Sequence, residues 1–258
     1  MIERAHRQAI DLNADNGERA ADQHSGDDAI IQHVTSVNIA CGGHTGDDAS
    51  MRLAVRAAAR AGVAIGAHPS YPDRAGFGRV RMKLGPEALR KAITDQIGAL
   101  DAVAQTEGVF LSHCKPHGAL YHAASEDESV ARAIYEAATG FGQSLRLVGQ
   151  AGSPAIARWR AWGALVAEEA FADRVYEADG SLRARTLCDA LITDPHRAAE
   201  QAVRIALTRT NPVADSTVVV RADTLCVHSD TPNAVAIAAR VASSLLASGV
   251  TLRSPNES

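Results

Sequence analysis

Short runs with a two-residue apolar period alternate along this chain with longer runs whose apolar positions recur every three or four residues. That pattern predicts strands and amphipathic helices in turn. Ala9 to Asn13 reads as the first strand, followed by a polar, Gly-containing loop over 16–28. Asp27 and Asp28 cap a short helix whose apolar face is Ile30, Ile31 and Val34. Ser36 to Ala40 is the second strand. Asp47 or Asp48 caps a helix with Met51, Ala54, Val55, Ala58 and Ala61 on one face, and Gly62 stops it. Val63 to His68 is strand three, and the Pro- and Gly-bearing stretch 69–85 is a long loop. Pro86 opens a helix with the stripe Leu89, Ile93, Ile97, Leu100 and Val103. Val109 to Lys115 is strand four, a helix runs near Asp127–Thr139, and Leu145 to Val148 is strand five. Ser153-Pro154 opens a helix to Trp162, Ala164 to Ala167 is strand six, and 172–190 is irregular. Asp194-Pro195 caps a helix to Thr208. Val218 to Val227 holds the last strand, broken near Arg221–Asp223, and Asp230 and Pro232 start a final helix ending near Gly249.

The alternation gives about seven β/α units with no linker between them, which predicts one α/β domain over 1–258 with a parallel sheet. Residues 1–8 and 253–258 read as flexible tails. Polar clusters follow nearly every strand, whereas an open doubly wound sheet concentrates its site at one switch point. A closed or nearly closed barrel therefore fits better. Its active site would lie at the carboxyl ends of the strands.

Those clusters hold the candidate chemistry. Asp11, Asn13, Asp15 and Glu18 crowd the first, and strand alternation puts Asp11, Asn13 and Asp15 on one face. Acids inside a barrel strand are costly unless paired. His44, His68 and His117 follow three different strands, and at least two of them are expected to share a pocket. Lys115 ends strand four and could polarise a carbonyl or hold an anion. The 70–79 segment, with Phe77 between Gly76 and Gly78, reads as a lid or as a plain surface loop. Glu169, Asp173 and Arg174 follow strand six, and Asp223, His228 and Asp230 surround the last strand.

Length, 258 residues, and a hydrophobic fraction of 46% suit one barrel with a sizeable core. A net charge of −4 offers nothing to nucleic acid, and no apolar run is long enough to span a membrane. Four scattered cysteines, with no CxxC pair, read as free thiols of a cytoplasmic protein. Neither a phosphate-binding GxxxxGK[ST] loop nor a GxSxG elbow is present. No HExxH motif occurs, and no tightly bound metal is expected.

Taken together the motifs resemble the LamB/YcsF family, the A-type subunits of 5-oxoprolinase. The matching pieces are Asp11-Leu12-Asn13-Ala14-Asp15 with Gly17-Glu18, Asn38-Ile39-Ala40-Cys41-Gly42 with His44, and Gly66-Ala67-His68-Pro69. They continue with Gly76-Phe77-Gly78-Arg79, Lys115-Pro116-His117-Gly118-Ala119-Leu120-Tyr121, Phe171-Ala172-Asp173-Arg174 and Asp223-Thr224-Leu225-Cys226-Val227-His228. Departures are the ten residues before Asp11, the long polar stretch Arg19 to Gly26, and His122, Val80 and Ser229 at positions where other residues are usual.

The resemblance implies a distorted seven-stranded (β/α) TIM-like barrel of the glycoside hydrolase/deacetylase type. It implies ATP-dependent opening of 5-oxoproline to glutamate together with the 5-oxoprolinase subunits B and C, with ATP and Mg used by the assembled complex. On that reading Asp15 is the preferred base and Glu18 the reserve, with Lys115, His44, His68 and His117 polarising or neutralising the developing charge. Asp11, Asn13, Asn38, Arg79, Glu169, Asp173, Arg174, Asp223 and His228 would bind substrate, Arg79 taking its carboxylate. Two alternatives stand beside it: a metal-dependent deacetylase or amidohydrolase on an N-acyl sugar, and a non-catalytic protein that delivers the lactam to its partners.

Overall fold

The computed structural model describes residues 8–18, 29–141, 145–213 and 216–255. The predicted Asp27–Asp28 cap, the Arg19 to Gly26 stretch, and residues 1–7 and 256–258 of the predicted tails lie outside them. The first six strands are β1 (Ala9–Asn16), β2 (Ser36–Ala40), β3 (Ala64–His68), β4 (Leu111–Cys114), β5 (Arg146–Gln150) and β6 (Val166–Phe171). Then β7 (Thr210–Val213) and β8 (Ser216–Val219) form a separate antiparallel hairpin, and β9 (Thr224–Val227) follows. The six strands and β9 are parallel and close into a seven-stranded barrel. Each pairs with the next in that order, and β1 closes onto β9 with Asp11 opposite Thr224 and Asn13 opposite Cys226. A two-residue strand, β10 (Thr251–Leu252), adds to the start of β1. The backbone N–H of Arg253 then donates to the carbonyl of Ile10 at 3.0 Å.

Around the barrel run α1 (Asp48–Ala61), α2 (Pro86–Thr106), α3 (Gly118–Glu126), α4 (Glu128–Thr139), α5 (Pro154–Ala161), α6 (Pro195–Thr208) and α7 (Ala234–Ala247). Their starts follow capping chemistry. Asp47 and Ser50 form a capping box on α1, and Ser153 and Asp194 cap α5 and α6, each with Pro in the first turn. Gly62 ends α1 in the left-handed conformation at φ 69°.

Four elements differ from the sequence expectation. Residues 118–126 form a helix of their own, α3, before the predicted one. The predicted last strand is split: its first residues belong to the β7–β8 hairpin, and only β9 joins the barrel. Strand six runs on to Phe171, so Glu168 and Glu169 lie in it, and β1 likewise carries Asp15 inside its span.

Alternation sorts the strand residues into two environments. Leu12, Ala14, Val37, Ile39, Ile65 and Ala67 face outward and join the helices' apolar stripes in one core. The opposite positions line a polar barrel interior. Asp11 accepts from Thr35, Ser36 and Thr224. Asn13 donates to Glu169 at 3.0 Å and accepts from Asn38 at 2.8 Å. Burying so many polar groups is tolerable because they are hydrogen-bonded to each other. Gly66 leaves the space one of them needs: a Cβ there would stand 2.1 Å from Nε2 of His113, which meets Asn38 at 2.9 Å.

Candidate active site

The carboxyl ends of the barrel strands open into a cavity of about 380 Å³ lined by Asp15, Glu18, His68, Lys115, His117 and His228, among others. That is the size class of small-molecule sites. Asp15 projects from the end of β1. Its Oδ1 receives hydrogen bonds from Lys115 Nζ and Asn38 Nδ2, both at 3.0 Å. Lys115 follows β4 and turns inward, where it also meets Glu169 at 2.8 Å. Burial alone would raise the Asp15 carboxyl, but the Lys115 ammonium opposes it, and the group is held well below the usual carboxylate range. Burial likewise opposes the charge on Lys115, and Asp15 and Glu169 restore it, pushing the ammonium well above its ordinary value.

Glu18 has the opposite fate. Its side chain is buried, pairs with no lysine or arginine among the described residues, and lies near ionised Asp15. Burial first, and Asp15 second, raise its pKa to about 7. Its Oε1 lies 3.2 Å from His44 Nε2 and 3.3 Å from His117 Nδ1.

The imidazoles are fixed by carbonyls, which can only accept. His68 Nδ1 donates to the Lys115 carbonyl at 2.7 Å, and His117 Nε2 donates to the Phe77 carbonyl at 3.0 Å. In neutral rings this leaves His68 Nε2 and His117 Nδ1 as lone pairs, and these face each other at 3.0 Å. Asp15 Oδ2 lies 3.5 Å from the same His68 nitrogen. His44 stacks flat on His117, ring centroids 3.8 Å apart, with its Nδ1 buried and unpartnered. Burial lowers His44 to about 3 and His117 to about 2, so neither carries the charge that would relieve the crowding.

Four acceptors converging on one point need a shared proton or a cation between them. Ligand atoms of Asp15, Glu18, His68 and His117 all lie within 4.8 Å of one another. This overturns the expectation of no tightly bound metal. That expectation rested on the lack of an HExxH motif, whereas the donors come from β1, the turn after it, β3 and the turn after β4. Two imidazole nitrogens with a carboxylate are a set that suits first-row divalent ions.

The 70–79 segment is bonded to the loops on either side of it. Arg74 donates to the carbonyls of Gly46 and Gly42 at 3.0 and 3.2 Å, and the Gly78 carbonyl accepts from Ala119 N at 2.9 Å. Gly78 sits at φ 64°, and a Cβ on it would approach His44 Cβ to 2.9 Å.

The remaining predicted residues divide by place. Arg79, Arg174 and His228 line the cavity with the acids and imidazoles. Asp173 is buried behind His228 and accepts from its Nδ1 at 3.0 Å. Asp11, Asn13, Asn38 and Glu169 are barrel-interior residues that do not line the cavity, although Asn13, Asn38 and Glu169 hold Lys115 and Asp15 in place. Asp223 precedes β9 and accepts from the backbone N–H of Glu168 at 2.9 Å, at the opposite end of the barrel. Burial pushes the Cys41 thiol up to about 12, which suits a packed side chain and not a nucleophile. Sequence reasoning assigned no role to Tyr121, which donates to Glu169 at 2.8 Å, or to Arg183 and Arg185 on the cavity wall. Two arginines at alternate positions in an irregular segment were the available signal.

A closed parallel barrel with acids, imidazoles and a lysine gathered at its strand ends defines a (β/α)-barrel enzyme site. The chain belongs to the LamB/YcsF family, whose model matches residues 10–258. It is 49% identical over 249 residues to the 5-oxoprolinase A subunit of Chloroflexus aggregans, covering 96% of this chain and 99% of that one. It is 45% identical over 247 residues to the 5-oxoprolinase A subunit of Bordetella parapertussis, covering 95% and 98%. The crystal structure of the lactam utilization protein from Thermus thermophilus superposes with a TM-score of 0.89 at 43% identity, covering 95% of this chain and 99% of that one. Among the described residues, no helix is long and apolar enough to cross a membrane.

Proposed function

We propose that the chain is the A subunit of a cytoplasmic 5-oxoprolinase that acts with B and C subunits to open the lactam 5-oxoproline to glutamate. The name borne by its relatives supports the substrate. The observation that carries the chemistry is the position of Glu18: a buried carboxyl facing the cavity, within 3.3 Å of fixed imidazoles and with no lysine or arginine partner among the described residues.

Ring opening adds water to the lactam carbonyl carbon and breaks its bond to nitrogen, which leaves as an amine. One proton must leave the water and one must reach the nitrogen. Glu18, which holds its proton up to about pH 7, can take the first and return it to the nitrogen. Asp15 is a poor base because Lys115 keeps it ionised. The preferred base therefore moves from Asp15 to Glu18 for an electrostatic reason. Lys115, neutralised by two carboxylates, fixes Asp15 and leaves no surplus charge for an oxyanion. Asp15, His68 and His117 would hold a divalent cation, which when bound supplies Lewis acidity toward the amide oxygen.

Glutamate release from 5-oxoproline and MgATP, measured with B and C subunits present and this chain added or omitted, tests the proposal. Full turnover without the chain would refute it. The donor set also favours a second reading, a metal-dependent amidohydrolase on an N-acyl sugar. ATP-independent release of acetate from N-acetylated sugars by the isolated chain would establish that one instead.

A further inference from the structure

Four arginines line the cavity: Arg79, Arg174, Arg183 and Arg185. Three have carboxylate partners. Arg79 and Arg185 share Asp230, the latter at 3.0 Å, and Arg183 meets Asp189 at 2.7 Å and Glu177 at 3.0 Å. Among the described residues Arg174 pairs with no carboxylate. It is only 4% exposed, one terminal nitrogen donates to the Arg183 carbonyl at 2.7 Å, and its buried Nε has no partner. Its sequence neighbour Asp173 instead accepts from His228 N, His228 Nδ1 and Thr231 Oγ1, at 3.1, 3.0 and 2.5 Å.

A buried cation with no carboxylate in contact is costly even with Asp173 nearby, and here the backbone holds it in place. Gln201 on α6 donates to the Arg174 carbonyl and to that of Phe171, both at 2.8 Å, and Arg174 bridges to Leu191 across the chain. Burial and the nearby charge of Arg185 both depress the guanidinium below its ordinary range, so an incoming anion would relieve both. Arg79 is the weaker candidate for that anion, since it is nearly half exposed and tied to Asp230.

We propose that Arg174 is the receptor for the substrate's carboxylate, fixing an anionic small molecule in the same cavity as Glu18 and His117. The identification of the anion as the 5-oxoproline carboxylate rests on the functional reading above. A planar guanidinium fork can grip a carboxylate through two parallel bonds. In 5-oxoproline the carboxylate and the scissile carbonyl sit on opposite sides of the ring nitrogen. Anchoring the first therefore sets the orientation of the second.

Calorimetric titration of the whole chain with 5-oxoproline and with pyrrolidin-2-one, the same ring without the carboxylate, tests this. The wild type should bind the acid at least tenfold more tightly than the neutral lactam. Arg174→Gln should erase that preference while leaving the neutral lactam's affinity unchanged, and Arg174→Lys should retain part of it. The unliganded Arg174→Gln protein should melt no lower than wild type, whereas a structural role predicts a lower melting temperature. Undiminished preference in Arg174→Gln, or its loss in Arg79→Gln instead, would overturn the proposal. If the wild type binds neither lactam, the 5-oxoproline reading fails. Inorganic phosphate and acetate then decide the subsite: Arg174-dependent binding of either sustains it, and binding of neither refutes it.

Discussion

Replacing Lys115 with Met keeps the aliphatic stem and deletes the charge that Asp15 and Glu169 share. The lysine side chain is 4% exposed and the two carboxylates 7% and 0%, so water cannot screen what is left behind. Removing one partner of a buried ion pair costs roughly 3–5 kcal/mol. Hydrogen bonds from Asn38 to Asp15, and from Asn13 and Tyr121 to Glu169, persist and keep the loss from growing further. For a chain of this length about 1 kcal/mol moves the melting temperature by roughly 2 °C, so the variant should melt roughly 6–10 °C lower near pH 7.5. The pH dependence has a definite sign. In the wild type the depressed Asp15 contributes stability above its unfolded pKa, lost only as pH falls through its lower folded value. Without Lys115, burial dominates and the folded pKa rises above the unfolded one, so acidification relieves the variant. Its deficit should shrink between pH 7.5 and 5. Differential scanning calorimetry at both pH values, with Lys115→Met/Glu169→Gln as a partial rescue, measures this. A variant within about 1 kcal/mol of wild type at pH 7.5 would refute the electrostatic account, since that is the scale of exposed pairs.

Glu18→Gln should cut turnover of the assembled complex by roughly 10²–10⁴-fold, the usual worth of a general base. The wild-type kcat/KM should fall on acidification as Glu18 takes up a proton, at a pH no higher than about 7 because a bound cation favours the carboxylate, and that limb should vanish from the variant's residual activity. Cobalt(II) added to the purified chain should give visible absorption of a bound ion, and His117→Gln should lose it. A colourless wild-type mixture would count against the metal site. Gly78→Ala should lower stability by about 1 kcal/mol or more, because φ 64° is strained for alanine and the new Cβ meets His44. Thermal melting would check it, and an unchanged transition would mean the 70–79 segment can yield.

The outward-facing half of the barrel was readable because apolar residues recur with the strand period. The inward half was harder. Asp15 and Asn16 carry the composition of a turn, and Asp15 is made acceptable in a strand by Asn38 and by a lysine 100 residues away. Glu169 extends β6 for the same reason, a partner that no local window contains. The helix α3 hides behind Pro116 and Gly118, which read as loop, and the β7–β8 hairpin hides behind Pro212, which sits at a strand edge. The gathering of Asp15, Glu18, His68 and His117 is long-range geometry, invisible to spacing. Arg174 was a candidate in the sequence, but its solitude is not a sequence property. It depends on Asp173 and Asp230 being engaged elsewhere.

The closure of β1 onto β9 bears on the order in which the protein can mature during its synthesis. Asp11 and Thr224 are bonded across 213 residues. A ribosome must therefore release nearly the whole polypeptide before this carboxyl meets its last partner. Until then β1 has a strand on one side only, and its acids have water where Thr224 and Glu169 will stand. Nascent chains halted before residue 224 should remain open-edged, and this is the interval in which a chaperone would find something to hold.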